Sequence, residues 1–406
     1  MDPFIQYTGF PLFWIYFSSL FVFLFGIWQT KYLSRSLSIS QKKGLSIYIW
    51  HTFFCVIHFL WVLVVKNDVF GTYVNSLDLS FDFGSEQYLS NIFILNFYRI
   101  FSYYLKFSFF TTFLVMNIIG SNAILLIEYF FQKNSKNYPR IMKFILGSFI
   151  WLPTLHFWTV LGKDALMILG ILLIIFSLER INKRYIYAIP ALIVVTCLRS
   201  YISIMIVMSL IFSIIFTTYS LKQSSKIMLT FFSFLALILI SPLVNQFIFG
   251  GDFDGLNSII ERFSYNVNVT SLGTYSIPPD LNPFLRVFAY SFRPLFYDVK
   301  NLFGFITSFD NAILLIIFIF SIISIFLISD LKLSISNQFP IFCATFSLSI
   351  SFLLAQSTSN LGIAARHKFM FIPVGFILIL MMFRGIYEKK QLNSKKGIPL
   401  YLKEHF

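Results

Sequence analysis

The residues best suited to chemistry lie in four segments where ionisable side chains adjoin long apolar runs. An ionisable group at the centre of a membrane helix costs about 2.5–3.5 kcal/mol on insertion scales, so charges kept beside such runs need a reason. Lys and Arg bind anions, a guanidinium forks onto phosphate oxygens, and His or Asp can accept a proton. The segments therefore predict an anion-binding site with a general base, built from His156, Lys163, Asp164, Arg199, Arg286, Arg293, Arg366, His367 and Lys368.

The first segment, WLPTLHFWTVLGKD, combines a helix break with a tight turn. Pro153 lacks an N–H and interrupts a helix, and Gly162 permits a turn that other residues disfavour. The turn crowds His156, Lys163 and Asp164 at the membrane edge, where an acid suits the first turn of the next helix. These side chains either contact a substrate or form a hairpin cap, in which Lys163 pairs with Asp164 or extends to the interface.

The second segment contains Arg199, which separates two apolar runs. Both runs are shorter than the ~20 residues that cross a bilayer. Arg199 therefore either marks the outer interface or lies below the membrane surface, where its permanently charged guanidinium would bind phosphate oxygens. We expect the second role.

The third segment is the long connection 250–310, in which prolines and aromatic residues surround Arg286 and Arg293. Such a segment between membrane spans can lie on the membrane as a lid over a cavity, and two arginines there suit a pyrophosphate or an acidic sugar. Asp252 and Asp254 could also ligate a divalent ion, but aspartates beside glycines more often form turns. We therefore predict no metal site.

The fourth segment places Arg366, His367 and Lys368 at the mouth of the last apolar run. Three adjacent cationic or titratable groups favour anion binding over a simple interfacial anchor. His367 could act as a general base near neutral pH, although its cationic neighbours disfavour a further positive charge. His156 is an equal candidate for this role.

The composition requires membrane helices to carry these residues. Hydrophobic residues make up 57% of the chain and charged residues 12%, against about 25% charged residues in a soluble domain. Long apolar runs exclude a soluble enzyme, a secreted disulfide scaffold and a porin-type barrel, whose strands alternate. We therefore predict an all-α polytopic membrane protein, with a single integral membrane domain over 1–406.

About eleven apolar runs are candidate membrane helices. They cover residues 10–28, 45–65, 107–131, 141–158, 165–178, 185–198, 201–219, 227–249, 311–329, 339–355 and 369–383. The long connections are 66–106, which includes a surface or re-entrant helix at 88–106, and 250–310, with short amphipathic helices. Residues 385–406 form a basic tail.

The charge distribution predicts the orientation of these helices. With the N-terminus outside, the inner segments hold 20 of the 31 Lys and Arg residues and a net charge of +15, whereas the outer segments carry −1. Cytoplasmic loops of membrane proteins show this excess of Lys and Arg. The net charge of +14 therefore indicates the membrane topology rather than a nucleic-acid partner. In this topology the four segments with candidate site residues lie on the outer side of the membrane.

Other familiar sites find no support in the sequence. The three cysteines lie in apolar runs and imply no disulfide framework. His51 and His58 lie on one helix face without a third ligand, so a zinc site is unsupported. The sequence contains no P-loop, dinucleotide fingerprint or G-x-S-x-G elbow. We predict neither a metal nor a cofactor.

At its chemical segments the chain resembles the bacterial O-antigen and capsule repeat-unit polymerases of the Wzy type. LPTLHFWTVLGKDAL is similar to the PSxHFW…GKD signature of one branch, and Arg199 stands where that branch has an arginine. FRPLFYDVKNLFGFITSFDN resembles its FRP-x-x-x-(D/E)…EN stretch, with Asp310 in place of Glu. SNLGIAARHKFMFIP resembles its NxG…R-x-R…P segment, with Lys368 replacing the second Arg, which keeps the charge but loses the bidentate fork.

The resemblance implies a glycosyltransferase of the bacterial inner membrane, with its N-terminus in the periplasm and its C-terminus in the cytoplasm. It would join undecaprenyl-pyrophosphate-linked repeat units on the periplasmic face, with a chain-length regulator as a further partner. We expect the departing pyrophosphate to be held by Arg199, Arg293 and Arg366, with Lys163, Arg286 and Lys368 as further contacts. We expect the base to be His156, Asp164 or His367. The lipid-linked sugar is already activated, so the scheme needs no nucleotide or metal.

Two other functions stay open. An O-antigen ligase, or another transferase with a lipid-linked donor, would share the clamp and differ in its acceptor. Its base could then come from the first outer loop, from Asp68, Asp78, Asp82 or Glu86. A flippase for lipid-linked oligosaccharides would need cations along a passage through the membrane, whereas these cations are predicted at one face.

Overall fold

The computed structural model describes residues 10–65, 68–81, 89–160, 162–216, 276–278, 280–299, 301–328 and 338–395, and the single positions 227, 231 and 235. Within these ranges the regular elements are helices, and one isolated antiparallel bridge joins Ser276 to Asn360. Outside the described residues lie most of the predicted span 227–249, residues 396–406 of the predicted tail, and Asp82, Glu86, Asp252 and Asp254.

The helices follow the apolar runs of the sequence. Up to the first long undescribed stretch they are α1 (Leu12–Ser36), α2 (Gln41–Val65), α3 (Asp68–Ser76), α4 (Leu89–Arg99), α5 (Phe109–Asn134), α6 (Arg140–Gly147), α7 (Pro153–Trp158), α8 (Gly162–Leu178), α9 (Ile181–Leu198) and α10 (Ser200–Phe216). After it come α11 (Pro283–Phe292), α12 (Leu302–Ile328), α13 (Gln338–Ser357), α14 (Leu361–His367) and α15 (Ile372–Lys395). Single turns of 3₁₀ or π geometry occupy Ile100–Tyr104, Ser148–Trp151, Phe296–Asp298 and Lys368–Met370.

Six helical segments among the described residues are long and apolar enough to cross a membrane. They are α1, α2, α5, the Arg140–Trp158 stretch, α12 and α13, and the bent pair α14–α15, which turns by 48°, would make seven. Three further predicted spans correspond to α8, α9 and α10, which have 17, 18 and 17 residues. Helices α8 and α9 are shorter than the ~20 residues that typically cross a bilayer, and α10 is described only as far as Phe216. The chain is thus an all-α polytopic membrane protein, but the count of eleven spans is not confirmed and the orientation stays a prediction.

Helix α1 has one buried face and one exposed face, although its sequence is almost wholly apolar. Its buried positions recur about every four residues and include Ser18, Val22 and Gly26. A Cβ at Gly26 would lie 2.0 Å from the Tyr48 hydroxyl of α2, and such small residues let membrane helices pack closely. The exposed face carries the stacked rings of Phe13, Phe17, Phe21 and Phe25. This aromatic face suits contact with lipid.

Contacts between helices divide the chain into two units. The described residues within 1–128 and 151–205 belong to unit 1, and those within 129–150, 206–236 and 267–406 belong to unit 2. In unit 1, α1 packs on α2, α2 on α7, α3 on α4, and α9 on both α4 and α8. In unit 2, α11 packs on α12, α13 and α14, and α13 packs on α15. Each unit positions its own set of the predicted site residues.

Gly170 allows the close packing of α8 on α9, and we expect Gly170→Ala to lower the free energy of unfolding by about 1–3 kcal/mol. A Cβ there would lie 2.7 Å from Cγ2 of Val195, a β-branched side chain that is stiff at χ1. The thermal unfolding temperature of the purified protein in detergent measures the effect. Gly71→Ala in α3 is the control, because its Cβ would meet nothing within 4 Å. Equal stability of the two variants would contradict the expected packing.

Candidate functional site

The predicted site residues are divided between the two units. Unit 1 contains His156, Lys163, Asp164 and Arg199, and unit 2 contains Arg286, Arg293, Arg366, His367 and Lys368. Each set gathers side chains from parts of the sequence that are far apart. That the two sets face one cavity stays a prediction.

In unit 1, the connection from α7 to α8 lies against α4 and α5. Pro153 occupies the first turn of α7, and Gly162, with a φ of +26°, begins α8. A Cβ at Gly162 would lie 3.2 Å from the Tyr98 hydroxyl of α4. A Cβ at Gly120 of α5 would lie 2.2 Å from the carbonyl oxygen of Thr159. The two glycines therefore allow both helices to approach this connection.

Two histidines of α2 bind α7, the helix that precedes this connection. Nδ1 of His51 and Nδ1 of His156 form a hydrogen bond of 3.2 Å, and both side chains are fully buried. His58 donates from Nδ1 to the carbonyl oxygen of Phe157 at 2.6 Å and stacks on its ring. In the His51–His156 pair one Nδ1 must carry the proton and the other the lone pair. The bonded pair therefore holds at most one positive charge.

Lys163 ties the start of α8 to α4. Its Nζ donates to Oδ1 of Asn91 at 2.5 Å and to Oγ of Ser90 at 3.4 Å. Because α4 also packs against α9, this bond helps fix the α8–α9 pair within unit 1. The predicted contact of Lys163 with a substrate stays a prediction.

Asp164 meets Arg199 at the break between α9 and α10. Nη2 of Arg199 lies 3.5 Å from Oδ1 of Asp164, and Nη1 donates to the Tyr201 hydroxyl at 2.7 Å. The Asp164 side chain is fully buried, whereas 15% of the Arg199 side chain remains exposed. The ion pair is therefore long, and the guanidinium stays partly accessible.

The backbone at this break explains why Arg199 has unusual neighbours. Its φ of −152° and ψ of 86° end α9, and α10 begins at the next residue, Ser200. Ser200 is only 4% exposed, and within the described residues its hydroxyl has no hydrogen-bond partner. A helix N-terminus presents free backbone N–H groups and the positive end of the helix dipole. The break thus combines a guanidinium, a buried hydroxyl and a helix N-terminus, which are the components of an anion-binding site. These components, with Asp164 and Tyr201, are called the Arg199 site below.

In unit 2, Arg286 of α11 binds the end of α13. Nε donates to the carbonyl oxygen of Ala355 at 3.2 Å, Nη1 to that of Pro278 at 2.9 Å, and Nη2 to Oγ of Ser359 at 3.3 Å. The last carbonyls of a helix lack intrahelical partners, and this buried guanidinium supplies one. The geometry favours a positioning role for Arg286, and its predicted contact with substrate stays a prediction.

Arg293 forms a bidentate fork with Asp298. Nε bonds Oδ2 at 3.0 Å, Nη2 bonds Oδ1 at 2.5 Å, and the backbone N–H of Leu295 donates to Oδ2 at 2.9 Å. Burial raises the pKa of the Asp298 carboxyl, but the hydrogen bonds from Arg293 and Leu295 outweigh burial and hold the pKa below its ordinary value of 3.8. The hydrogen bond to Asp298 in turn raises the pKa of Arg293. The predicted pyrophosphate ligand thus already binds an internal carboxylate.

We expect the Arg293–Asp298 fork to make segment 283–298 sensitive to acid. Because the folded-state pKa of Asp298 is depressed, its stabilising contribution is present above pH 3.8 and is lost as the pH falls towards the folded-state value. Near neutral pH, hydrogen exchange in this segment should be slower in the wild-type protein than in Asp298→Asn. The ratio of the two rates should approach one only as the pH falls below the folded-state pKa of Asp298, which lies below 3.8. A ratio that does not change with pH would contradict the stabilising fork.

Lys368 is fully buried at the bend between α14 and α15. Its ammonium donates to Oδ1 of Asn311 in α12, and the Asn311 amide donates to the carbonyl oxygen of Pro294 at 2.8 Å. The carboxylate of Asp310, also fully buried, interacts electrostatically with Lys368. Lysine is almost never fully buried without such partners. Lys368 therefore joins the bend to α12, and its predicted contact with substrate stays a prediction.

Arg366 and His367 lie half-buried in the last turn of α14. Asn360 caps this helix, because its Oδ1 accepts from the N–H groups of Gly362 at 2.8 Å and Ile363 at 3.1 Å. The backbone of Asn360 also forms the bridge to Ser276 described above. The cap fixes where α14 begins, whereas the predicted roles of Arg366 as anion ligand and His367 as base stay predictions.

The sequence identifies the charged residues of these sites but not their partners. His51 stands in an apolar run, and nothing in the pattern connects it to His156. Ser200 and Tyr201 follow Arg199 directly at a break in the apolar sequence, and a Ser at such a break is a signal of a helix start. Arg199 followed directly by this helix-start signal could therefore have predicted the anion-binding site from sequence.

Within the described ranges, no three His, Cys, Asp or Glu side chains group closely enough to hold a metal ion. No protein-family model matches the chain, and no curated protein or solved structure matches it. The resemblance to the O-antigen polymerases therefore stays a prediction, and the Arg199 site is the feature of the described structure that bears most directly on function.

Proposed function

We propose that the chain is a membrane-embedded glycosyltransferase that joins undecaprenyl-pyrophosphate-linked oligosaccharide repeat units, and that it holds the leaving pyrophosphate at the Arg199 site. The observation that carries this proposal is the meeting of Arg199, Ser200 and the start of α10 at one break. A guanidinium and a hydroxyl donate hydrogen bonds to phosphate oxygens, and a helix N-terminus favours negative charge. Apolar helices flank the break on both sides, so the expected anion is the head of an amphiphile.

The proposed reaction places two demands on the protein. The bond between the anomeric carbon and the pyrophosphate breaks, so the negative charge that develops on the leaving group needs stabilisation. The acceptor sugar hydroxyl must lose a proton to a base. Arg199 meets the first demand, and unit 1 offers His156 and Asp164 for the second. The donor sugar is already activated by its pyrophosphate, so the reaction needs no nucleotide or metal beyond these two functions of the protein.

Glycan length in cells tests the proposal. Cells that assemble the lipid-linked repeat unit but lack this chain should make only single-repeat products on lipopolysaccharide gels. Expression of the chain should restore a ladder of long glycans. Loss of the single-repeat product as well would indicate a ligase, and repeat units trapped on the cytoplasmic face would indicate a flippase. Either of these outcomes would contradict a polymerase.

A further inference from the structure

The ion pair between Asp164 and Arg199 has the properties of a contact that a substrate can replace. We propose that Asp164 is the resident counterion of Arg199, and that the pyrophosphate of the lipid-linked donor displaces its carboxylate from the guanidinium. The released carboxylate then takes the proton of the acceptor hydroxyl, so that donor binding activates the base. This inference rests on the proposed function and assigns one residue two successive roles.

The length of the ion pair supports exchange. Charge-assisted N–H···O hydrogen bonds are normally about 2.7–2.9 Å long, whereas Arg199 and Asp164 are 3.5 Å apart. The Arg293–Asp298 fork of the same chain closes two contacts at 3.0 and 2.5 Å. The contact between Nη2 of Arg199 and Oδ1 of Asp164 is therefore longer than those of the Arg293–Asp298 fork, and a phosphate group can make a shorter one.

The guanidinium is anchored independently of Asp164. Tyr201 accepts a hydrogen bond from Nη1 at 2.7 Å. The backbone is fixed on both sides, because the N–H of Arg199 donates to Val195 at 2.8 Å and its carbonyl accepts from Ile202 at 3.0 Å. Arg199 can therefore keep its position when the carboxylate leaves, which exchange requires.

The buried hydroxyl of Ser200 is independent support for a ligand that accepts hydrogen bonds at this site. A buried hydroxyl without a hydrogen-bond partner is costly, and among the described residues none bonds this one. It stands next to Arg199, at the start of the 17-residue helix α10. A phosphate group has enough acceptor oxygens for the guanidinium, the hydroxyl and the helix N–H groups together.

The position of Asp164 suits its second role. It lies in the first turn of α8, where the helix dipole stabilises a carboxylate that has lost its arginine. In the reaction the acceptor oxygen forms a bond to the anomeric carbon while its proton passes to Asp164. The bond from the anomeric carbon to the pyrophosphate oxygen breaks, and its electron pair leaves with the pyrophosphate. When the pyrophosphate departs, Asp164 loses the proton to water and returns to Arg199.

Two measurements on the purified full-length protein, its affinity for undecaprenyl pyrophosphate and its rate of polymerisation, distinguish this exchange from an ion pair with a purely structural role. Asp164→Asn removes the charge with almost no change in size, and undecaprenyl pyrophosphate without sugar is the binding probe because it cannot react. If the carboxylate occupies the guanidinium about nine-tenths of the time, its removal tightens binding by roughly tenfold. We expect this variant to bind the probe more tightly and to lose polymerisation.

Glu179→Gln is the matched control. Glu179 pairs with Arg184 at 2.9 Å at the opposite end of the α8–α9 pair, and its loss should leave affinity and turnover unchanged. Equal or weaker binding by a monodisperse Asp164→Asn protein would overturn the counterion proposal, and Asp164→Ser gives the same comparison if the amide variant is not recovered folded. Tighter binding by the variant, with no polymerisation by the wild type, would support the exchange and remove the proposed function.

Discussion

Arg199→Ala is expected to abolish the formation of long glycans. The loss of one group that stabilises developing negative charge lowers turnover by on the order of 10²–10³-fold. Arg199 is the partly exposed cation at the break between α9 and α10, and alanine removes its guanidinium from the departing pyrophosphate. Polymerisation of lipid-linked repeat units by the purified variant measures the effect. Arg199→Lys should retain part of the turnover, because it keeps the charge but not the fork.

Two further variants separate lost chemistry from lost folding. Arg184→Ala removes an arginine from the other end of α9, where it pairs with Glu179, and should polymerise at nearly the wild-type rate. Arg199→Ala leaves the buried Asp164 carboxylate with less compensation, so the double variant Asp164→Asn with Arg199→Ala should be more stable than Arg199→Ala alone. Normal glycan length in a folded Arg199→Ala protein would remove Arg199 from the site.

Lys368→Met is expected to produce the largest loss of stability. Removing one partner of a buried charge pair costs about 3–5 kcal/mol, because the other charge stays buried without compensation. Lys368 and Asp310 are both fully buried, and the same substitution also removes the donor to Asn311. A markedly lower thermal unfolding temperature in detergent is the expected result. Lys31→Met, at an exposed position of α1, should change it little.

A double-mutant cycle attributes this loss to the charge pair. Combining Lys368→Met with Asp310→Asn removes both charges and should recover a large part of the stability. If the double variant is as unstable as the sum of its two single variants, the coupling between Lys368 and Asp310 is absent. Wild-type stability of Lys368→Met alone would show that Lys368 does not hold the bend.

The long spans could be predicted because each needs only an uninterrupted apolar run. Helix α5, Phe109–Asn134, lies close to the predicted span at 107–131, and α2, Gln41–Val65, covers the predicted span at 45–65. In the middle of the chain the number of spans could not be predicted in this way. An apolar run that is shorter than the bilayer thickness is compatible both with a membrane span and with a helix packed inside the protein. Helices α8, α9 and α10 are of this kind.

The sequence predicts which charged residues form the candidate sites, but not which residues they contact. A charge beside an apolar run is visible in sequence, which identifies Asp164 and Arg199. Their pairing depends on how α8 packs against α9, and this packing depends on the space that Gly170 leaves for Val195. Burial is also a tertiary property, so the sequence does not show that Lys368, predicted as a ligand at a helix mouth, is fully buried within unit 2.

Purified components give the most direct measurement of the central claim, that the Arg199 site holds the pyrophosphate of a lipid-linked glycan during transfer. The protein in detergent is mixed with undecaprenyl-pyrophosphate-linked repeat units, and glycan length and released undecaprenyl pyrophosphate are followed together. We expect the wild-type protein and Arg184→Ala to form longer chains, with release of an undecaprenyl pyrophosphate for each new bond, and Arg199→Ala to form none. Absence of elongation by the wild-type protein, or equal elongation by Arg199→Ala, would contradict the claim.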